Sequence, residues 1–274
     1  MILLDGRWLD EQSDTFGFFN RGFKYGDAVF ETIKVQQAEI LFAEDHYLRL
    51  MASMRILRMQ IPETFTPDFF YETIKAVCQK NHLEQARIKF YVWRDSDGLY
   101  TPTTHKVSFA VTAAADDNPN FAQQKRYHEV GLFKDHYLLS GLLSSVKSNN
   151  KATHVLAGIF AQENDYDNML LMNERKNVVC AINGNLFLRT GNEIITPPAE
   201  DGAIKGIVRK NLLLLKDETY QFSERSISPF ELQKADEVFI TNIIQGICSV
   251  GKYKRKSYET SAAEHLQNWL KTRG

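Results

Sequence analysis

Residues Ser144 to Ala157 read SSVKSNNKATHVLA. One lysine, Lys147, stands between the apolar run ahead of it and a helix start behind it. Asn149 and Asn150 have short side chains that accept from the free N–H groups of a first turn, so they are the expected caps. From there Ala152, Val155, Leu156, Ile159 and Phe160 recur at helical spacing. The amine is thereby held by structure on both sides. Burial there favours a neutral lysine, and a neutral amine is a nucleophile toward a carbonyl carbon. A lysine beside a helix start is ordinarily a solvated surface charge, so the case for chemistry rests on the remainder of the chain.

Upstream, Asn20 to Val35 reads NRGFKYGDAVFETIKV. Gly22 and Gly26 punctuate its first half. Val29 to Val35 then alternates as a strand does, with Phe30 and Thr32 on one face and Glu31 and Ile33 on the other. Ahead of it, Ile2 to Trp8 predicts a strand or hairpin turning at Asp5-Gly6. A helix is expected over Glu44–Leu57, with Glu44 and Asp45 in the first turn, where the helix dipole favours anions. Leu48, Met51, Met54 and Leu57 form its expected core stripe, with Arg49 beside it. Thr66-Pro67-Asp68 opens a second helix running to about Lys80. Strands are expected over Ala86–Arg94 and Lys106–Ala113. The polar stretch AADDNPNF, Ala114 to Phe121, is the best linker and divides the chain into domains over 1–115 and 116–274.

Beyond the linker, His128–Phe133 reads as a strand. Hairpins are expected at Met169–Met172 with Val178–Ala181, and at Asn185–Arg189 with Glu193–Thr196. The loop PPAEDGAIKG then feeds a helix over Ile207–Leu215. Free N–H groups at such a start attract anions, and Gly206 allows close approach. Strands at Thr219–Ser223 and Glu237–Thr241, a short helix at Pro229–Lys234 and a last helix over Ser261–Leu270 complete the pattern.

The 274 residues are enough for a sizeable core, and a net charge of −1 gives no general pull toward nucleic acid or anionic membranes. Cys78, Cys180 and Cys248 are few and far apart, which predicts reduced thiols and an intracellular setting. The opening MILLDGRWLDEQ carries acidic residues and no apolar run of signal-peptide type. The histidines show no metal-ligand spacing, so no metal is expected.

Six stretches, in order, resemble one family: NRGFKYGDAVFETIKV, HYLRL, VKSNN, NLFL, IKGIVR and TNIIQGICSV. The family is that of the fold type IV enzymes of pyridoxal 5′-phosphate (PLP). Branched-chain aminotransferases, D-amino-acid aminotransferases and 4-amino-4-deoxychorismate lyases belong to it. The resemblance implies an α+β (α/β) fold of two domains, a small α/β N-terminal one and a larger C-terminal one with a β-barrel-like core. It also implies PLP as cofactor, a small-molecule substrate and a cytoplasmic homodimer. Aromatic residues expected in loops (Phe18, Phe19, Phe23 and Tyr100), which a monomer would expose, agree with the homodimer.

Carried over residue by residue, Lys147 matches the lysine that bonds the cofactor and then serves as acid and base. Arg49, in HYLRL, matches the arginine that binds the phosphate, a task suited to a planar fork that stays charged. Ile207 and Val208 match the helix start under that phosphate, and Thr241 and Asn242 the loop around it. Glu31 and Thr32 match positions lining the mouth of the site, and Arg94 a clamp for a substrate carboxylate. One position departs. Five residues before Asn185-Leu186-Phe187 the family places a glutamate against the pyridine nitrogen, and here stands Cys180. The TN-xxx-GI pattern at Thr241–Ile247 resembles the lyases, which release pyruvate and leave 4-aminobenzoate on the route to folate. An aminotransferase of branched-chain or D-amino acids is the alternative, and a PLP-binding protein with weak catalysis is a third.

Overall fold

The computed structural model describes residues 1–10 and 20–273, and Phe18 and Phe19 lie outside them. The chain forms two compact units. Unit 1 comprises Met1–Asn120 together with Val146–Asn150, and unit 2 comprises Phe121–Ser145 and Lys151–Arg273.

Unit 1 contains β1 (Ile2–Leu4), β2 (Arg7–Leu9), α1 (Arg21–Tyr25), β3 (Ala28–Gln36), β4 (Glu39–Ile40), α2 (Ala43–Ile56), α3 (Pro67–Lys80), β5 (Ala86–Arg94) and β6 (Val107–Ala115). Its six strands form one antiparallel sheet in the order β2-β1-β6-β5-β3-β4. The hairpin expected at Asp5-Gly6 is there, with Ile2 opposite Leu9. Long apolar strands with a period of two require cover on one face, and α2 and α3 supply it. Val29, Ile33, Ile88, Phe90 and Val111 pack with Leu50, Met54, Phe70, Ile74 and Val77. Thr66 caps α3 as expected, its hydroxyl accepting from Phe69 N at 3.1 Å. The core stripe of α2 is phased differently from the sequence expectation. Leu50, Met51 and Met54 are buried, whereas Leu48 is 50% exposed. This helix carries apolar residues on more than one side, so spacing alone could not choose the face.

Unit 2 contains β7 (Arg126–Leu132), α4 (Ala152–Glu163), β8 (Asn168–Met172), β9 (Val178–Ala181), β10 (Gly184–Thr190), β11 (Glu193–Thr196), α5 (Ile207–Leu213), β12 (Gln221–Glu224), β13 (Glu237–Asn242), β14 (Gly246–Tyr253), β15 (Lys256–Ser257) and α6 (Ser261–Lys271). Six of its strands close on themselves in the order β10-β13-β14-β7-β8-β9 and back to β10. This is the β-barrel core that the resemblance implied. Closure removes free edges, and the interior fills with alternate residues: Leu170, Leu186, Leu188, Val238, Ile240, Cys248 and Val250. Glu237 fastens α6 to the barrel by accepting from Ala262 N at 2.9 Å and Ala263 N at 2.7 Å. Free N–H groups at a helix start make such a carboxylate a remote cap. Among the described residues no helix is long and apolar enough to cross a membrane.

Asn149 and Asn150 do not cap α4. Its capping residue is Lys151, with no side-chain cap bond. Asn149 N donates to Ala28 O at 3.1 Å and Asn150 Nδ2 to Gly26 O at 3.3 Å, so both tie their segment to the start of β3.

Candidate active site

Lys147 lies on the five-residue segment that joins unit 1 after the linker. That segment runs beside β3. Phe30 N donates to Lys147 O at 2.9 Å, and Ser148 forms an antiparallel bridge with Val29. Val146, 2% exposed, is built into the core of unit 1. The backbone on both sides of Lys147 is thus fixed. Its half-buried side chain places Nζ 4.4 Å from the centroid of the Phe30 ring. A second amine faces the same ring, with Lys89 Nζ 4.5 Å from that centroid. Lys89 Nζ also donates to Thr32 Oγ1 at 2.8 Å. The register explains the group, since Phe30 opposes Tyr91 and Thr32 opposes Lys89 across β3 and β5. Cross-strand partners share a face of the sheet. Burial lowers the Lys89 amine to about 8, the Arg87 charge acting in the same direction and Glu31 against it.

Glu31 points to the opposite, helix-covered face of β3. It is 1% exposed. Its carboxylate accepts from Arg49 Nε at 2.7 Å, from Arg49 NH2 at 2.6 Å and from His46 Nδ1 at 2.8 Å. His46 and Arg49 stand one turn apart on α2, so both reach one strand position. Burial works to raise the Glu31 carboxyl, but the charge and hydrogen bonds of Arg49, with those of His46, outweigh it and bring it down to about 2. An ionised carboxylate only accepts, so His46 carries its proton on Nδ1. His46 Nε2 is then an acceptor, buried with no partner among the described residues. Burial holds this imidazole below its ordinary pKa against the pull of Glu31, and the charges of Arg49 and Lys147 add to the lowering.

Neither Lys89 nor His46 stands out as a site residue in the sequence alone. Lys89 had one usable signal, a lysine in a strand opposite Thr32. The signal for His46 was a carboxylate, Glu31, on the apolar face of a strand, since a buried carboxylate requires partners.

Arg94, expected to clamp a carboxylate, is 6% exposed and internally engaged. Its Nε donates to Asp27 Oδ2 at 2.8 Å, NH1 to Arg58 O at 3.1 Å and NH2 to Leu57 O at 2.6 Å. It braces the C-terminal end of α2. Arg21 donates to the same Asp27 oxygen at 3.1 Å.

In unit 2 the expected residues gather around the start of β10. Asn185 opposes Thr241 in the register. Asn185 Nδ2 donates to Ile204 O at 2.8 Å, just ahead of α5. A Cβ on Gly206 would collide with the Asn185 amide oxygen, so any larger residue there would displace that side chain from Ile204 O. Gly206 precedes Ile207 and Val208, which open α5 without a side-chain cap. Thr241 is 1% exposed, and its hydroxyl has no partner among the described residues. Asn242 Oδ1 accepts from Ile244 N at 3.1 Å and Gln245 N at 2.8 Å, which folds the loop after β13.

The sequence profile of the family described as amino-transferase class IV matches residues 28–253. The chain belongs to the class IV aminotransferases. It is 27% identical to a Methanocaldococcus jannaschii protein provisionally named a branched-chain-amino-acid aminotransferase, with 91% of this chain and 86% of that one covered. It is 24% identical to an aminodeoxychorismate lyase of Vibrio harveyi, with 84% of each covered. The branched-chain amino acid aminotransferase of Thermobaculum terrenum, solved in its PLP form, matches in fold with a TM-score of 0.86 at 19% identity, over 100% of this chain and 94% of that one.

Within this class IV aminotransferase, Cys180 lies on β9 opposite Asn185 of β10 and Leu171 of β8. It is 7% exposed and packs with Ala157, Ala161, Met169 and Val179. Burial pushes its thiol up to about 12, and the nearby charge of Lys151 only partly offsets this. At neutral pH Cys180 is an uncharged thiol.

Proposed function

We propose that this class IV aminotransferase is a PLP-dependent enzyme acting on an amino-acid-like substrate, and that it is an aminodeoxychorismate lyase, releasing pyruvate and leaving 4-aminobenzoate. The residues fit a phosphorylated aldehyde cofactor. Unit 1 offers a fixed amine in Lys147 and a guanidinium, Arg49, held in plane by Glu31. Unit 2 offers the buried Thr241 hydroxyl, the glycine-lined approach at Gly206, the α5 start at Ile207 and Val208, and Asn242. When bound, the cofactor supplies an electrophilic carbonyl and an electron-withdrawing ring.

In this reading Lys147 would hold the cofactor at its carbonyl carbon and would move a proton at the substrate Cα. Its fixed backbone and the Phe30 ring restrict where that amine can reach. Lys89 takes the substrate carboxylate with its charge, the task that Arg94 is too engaged to perform, and Thr32 orients Lys89. Arg49 in unit 1 and Thr241 in unit 2 are each assigned to the phosphate by the family resemblance.

The observation that carries the lyase reading is Cys180. An uncharged thiol stands where the resemblance places a carboxylate, so Cys180 would give the cofactor's ring nitrogen no permanent anionic partner. Elimination after one proton abstraction demands less of such a ring than the full two-stage cycle of amino transfer. The second reading, an aminotransferase for branched-chain or D-amino acids, is favoured by the Methanocaldococcus jannaschii relative. Two assays separate them on the purified enzyme. Release of pyruvate and 4-aminobenzoate from aminodeoxychorismate supports the lyase, and 2-oxoglutarate-dependent amino transfer without that release overturns it.

The same reading makes the protein a cytoplasmic homodimer. Val155, Leu156 and Ile159 on α4 are 59%, 43% and 47% exposed, and Leu139, Leu142 and Leu143 are more exposed still. Light scattering that finds a monomer overturns the dimer.

A further inference from the structure

Unit 2 holds a chain of neutral polar groups to which the reaction above gives no role. Asn168 Nδ2 donates to Asn183 Oδ1 at 2.9 Å. Asn183 Nδ2 donates to the Tyr127 hydroxyl at 3.2 Å. That hydroxyl donates to Gln245 Oε1 at 3.1 Å, and Asn242 Nδ2 donates to the same oxygen at 3.2 Å. The directions agree with one another: each amide nitrogen gives, each amide oxygen receives, and the phenol does one of each. Asn168 and Tyr127 are both 2% exposed. Burial pushes the Tyr127 phenol up to about 12, so it keeps its proton.

The chain of bonds ends on the loop that follows Thr241. Gly246 turns that loop with φ +77°, and a Cβ there would strike the Gln267 amide. Gln267 Oε1 accepts from Ile247 N at 2.8 Å and closes its far side. At the other end of the chain, Gly184 follows Asn183 and lies so close that a Cβ would meet the Thr241 carbonyl oxygen. The network therefore grips the loop from two sides, and the Thr241 hydroxyl stays buried without a partner among the described residues. Loops of this kind ordinarily fluctuate, and a loop ordered before its ligand arrives avoids the ordering cost at binding.

We infer that Gln245, held by Tyr127, which Asn183 holds in turn, is a positioning residue that keeps the Thr241–Gly246 loop in the shape that receives the cofactor phosphate. The inference rests on the assignment of Thr241 and Asn242 to that phosphate. It makes the network matter for a phosphorylated ligand and not for the same ring without its phosphate.

The test titrates the full chain, freed of cofactor, with PLP and separately with pyridoxal, which lacks the phosphate. Tyr127→Phe and Gln245→Leu each remove one link with little change of volume. Each is expected to weaken PLP about tenfold, the size of one lost buried hydrogen bond, while pyridoxal binding holds. The affinity ratio of the two ligands therefore falls, and a merely structural role would not move it. If Tyr127→Phe fails to fold, Gln245→Leu, on the half-buried loop, decides alone. Equal weakening of both ligands, or no change in either, overturns the inference. A wild-type chain that binds PLP no better than pyridoxal overturns the phosphate assignment and the inference with it.

Discussion

The two units hold their polar residues in opposite ways. In unit 1 the residues around β3 are charged: Glu31 is locked between Arg49 and His46, and Lys89 shares the Phe30 ring with Lys147. In unit 2 the corresponding residues are neutral: four asparagines, a glutamine, a tyrosine that keeps its proton, a threonine with no partner among the described residues and an uncharged cysteine. Charge acts over distance and responds to pH. Neutral hydrogen bonds act only through geometry and ignore pH across the physiological range. In the proposed reading, unit 1 is therefore the half that moves protons, and unit 2 the half that supplies shape around the phosphate.

The largest test of that division is Lys147→Ala. It is expected to lower turnover by about 10³-fold or more and to abolish the absorption band of lysine-bound cofactor, while circular dichroism stays unchanged. If Lys151→Ala removes the band instead, the charged half has been assigned the wrong lysine. Next comes Glu31→Gln, which leaves Arg49 without its anion in a buried place. It is expected to cost about 3–5 kcal/mol in urea denaturation. A loss of less than about 1 kcal/mol would mean that the cluster behaves like a surface pair.

The same cluster predicts a pH profile. Glu31 falls from 4.5 to about 2 on folding, so between those values the unfolded chain binds more protons. Its contribution is fully present above pH 4.5 and is lost as the pH falls toward 2, about 3 kcal/mol in all. His46 is also lowered, so stability already declines as acid takes the pH below 6.5, the ordinary value. Glu31→Gln should flatten the lower limb of the wild-type profile.

A smaller effect is expected at Lys89. Lys89→Met should raise KM for a carboxylate substrate about tenfold with kcat nearly kept, and Lys89→Arg should restore most of it. A fall in kcat at constant KM would take Lys89 out of substrate binding. The smallest effect tests the neutral half. Cys180→Glu should leave PLP affinity within about twofold and raise amino transfer relative to pyruvate release by a few-fold, on the order of 1 kcal/mol of ring stabilisation. A variant identical to wild type in that ratio would show that position 180 does not reach the ring nitrogen.

Much of the fold was legible because it rests on local signals. The strand expected over Ala86–Arg94 is β5 to the residue, and Thr66-Pro67 opens α3 as its chemistry demands. Lys147 was legible for the same reason, as a lysine between two ordered elements. What failed was phase and distance. The Val155, Leu156 and Ile159 side of α4 is exposed, and Ala157 and Ala161 are buried instead. Small alanines allow close packing, but hydrophobicity alone favours the larger residues. Asn149 and Asn150 had the chemistry of caps, yet a strand distant in sequence engaged them. Lys89 became visible only through the β3–β5 register, and the Tyr127, Asn168, Asn183 and Gln245 network has no signature, because neutral polar residues are common in loops.

The segment Val146–Asn150 adds a constraint on how this protein is made. Unit 1 is not continuous in the chain: its last five described residues follow a stretch that belongs to unit 2. A ribosome that has released Met1–Asn120 has not yet released Val146, which fills part of the unit 1 core, or the backbone that pairs with Val29 and Phe30. During synthesis the first unit waits, with that strand flank unpaired, for the piece that bears Lys147. Gene fusion or recombination at the linker would separate the two halves of this joint. The fold therefore ties the amine to the completion of its own scaffold, and a truncated product carries neither.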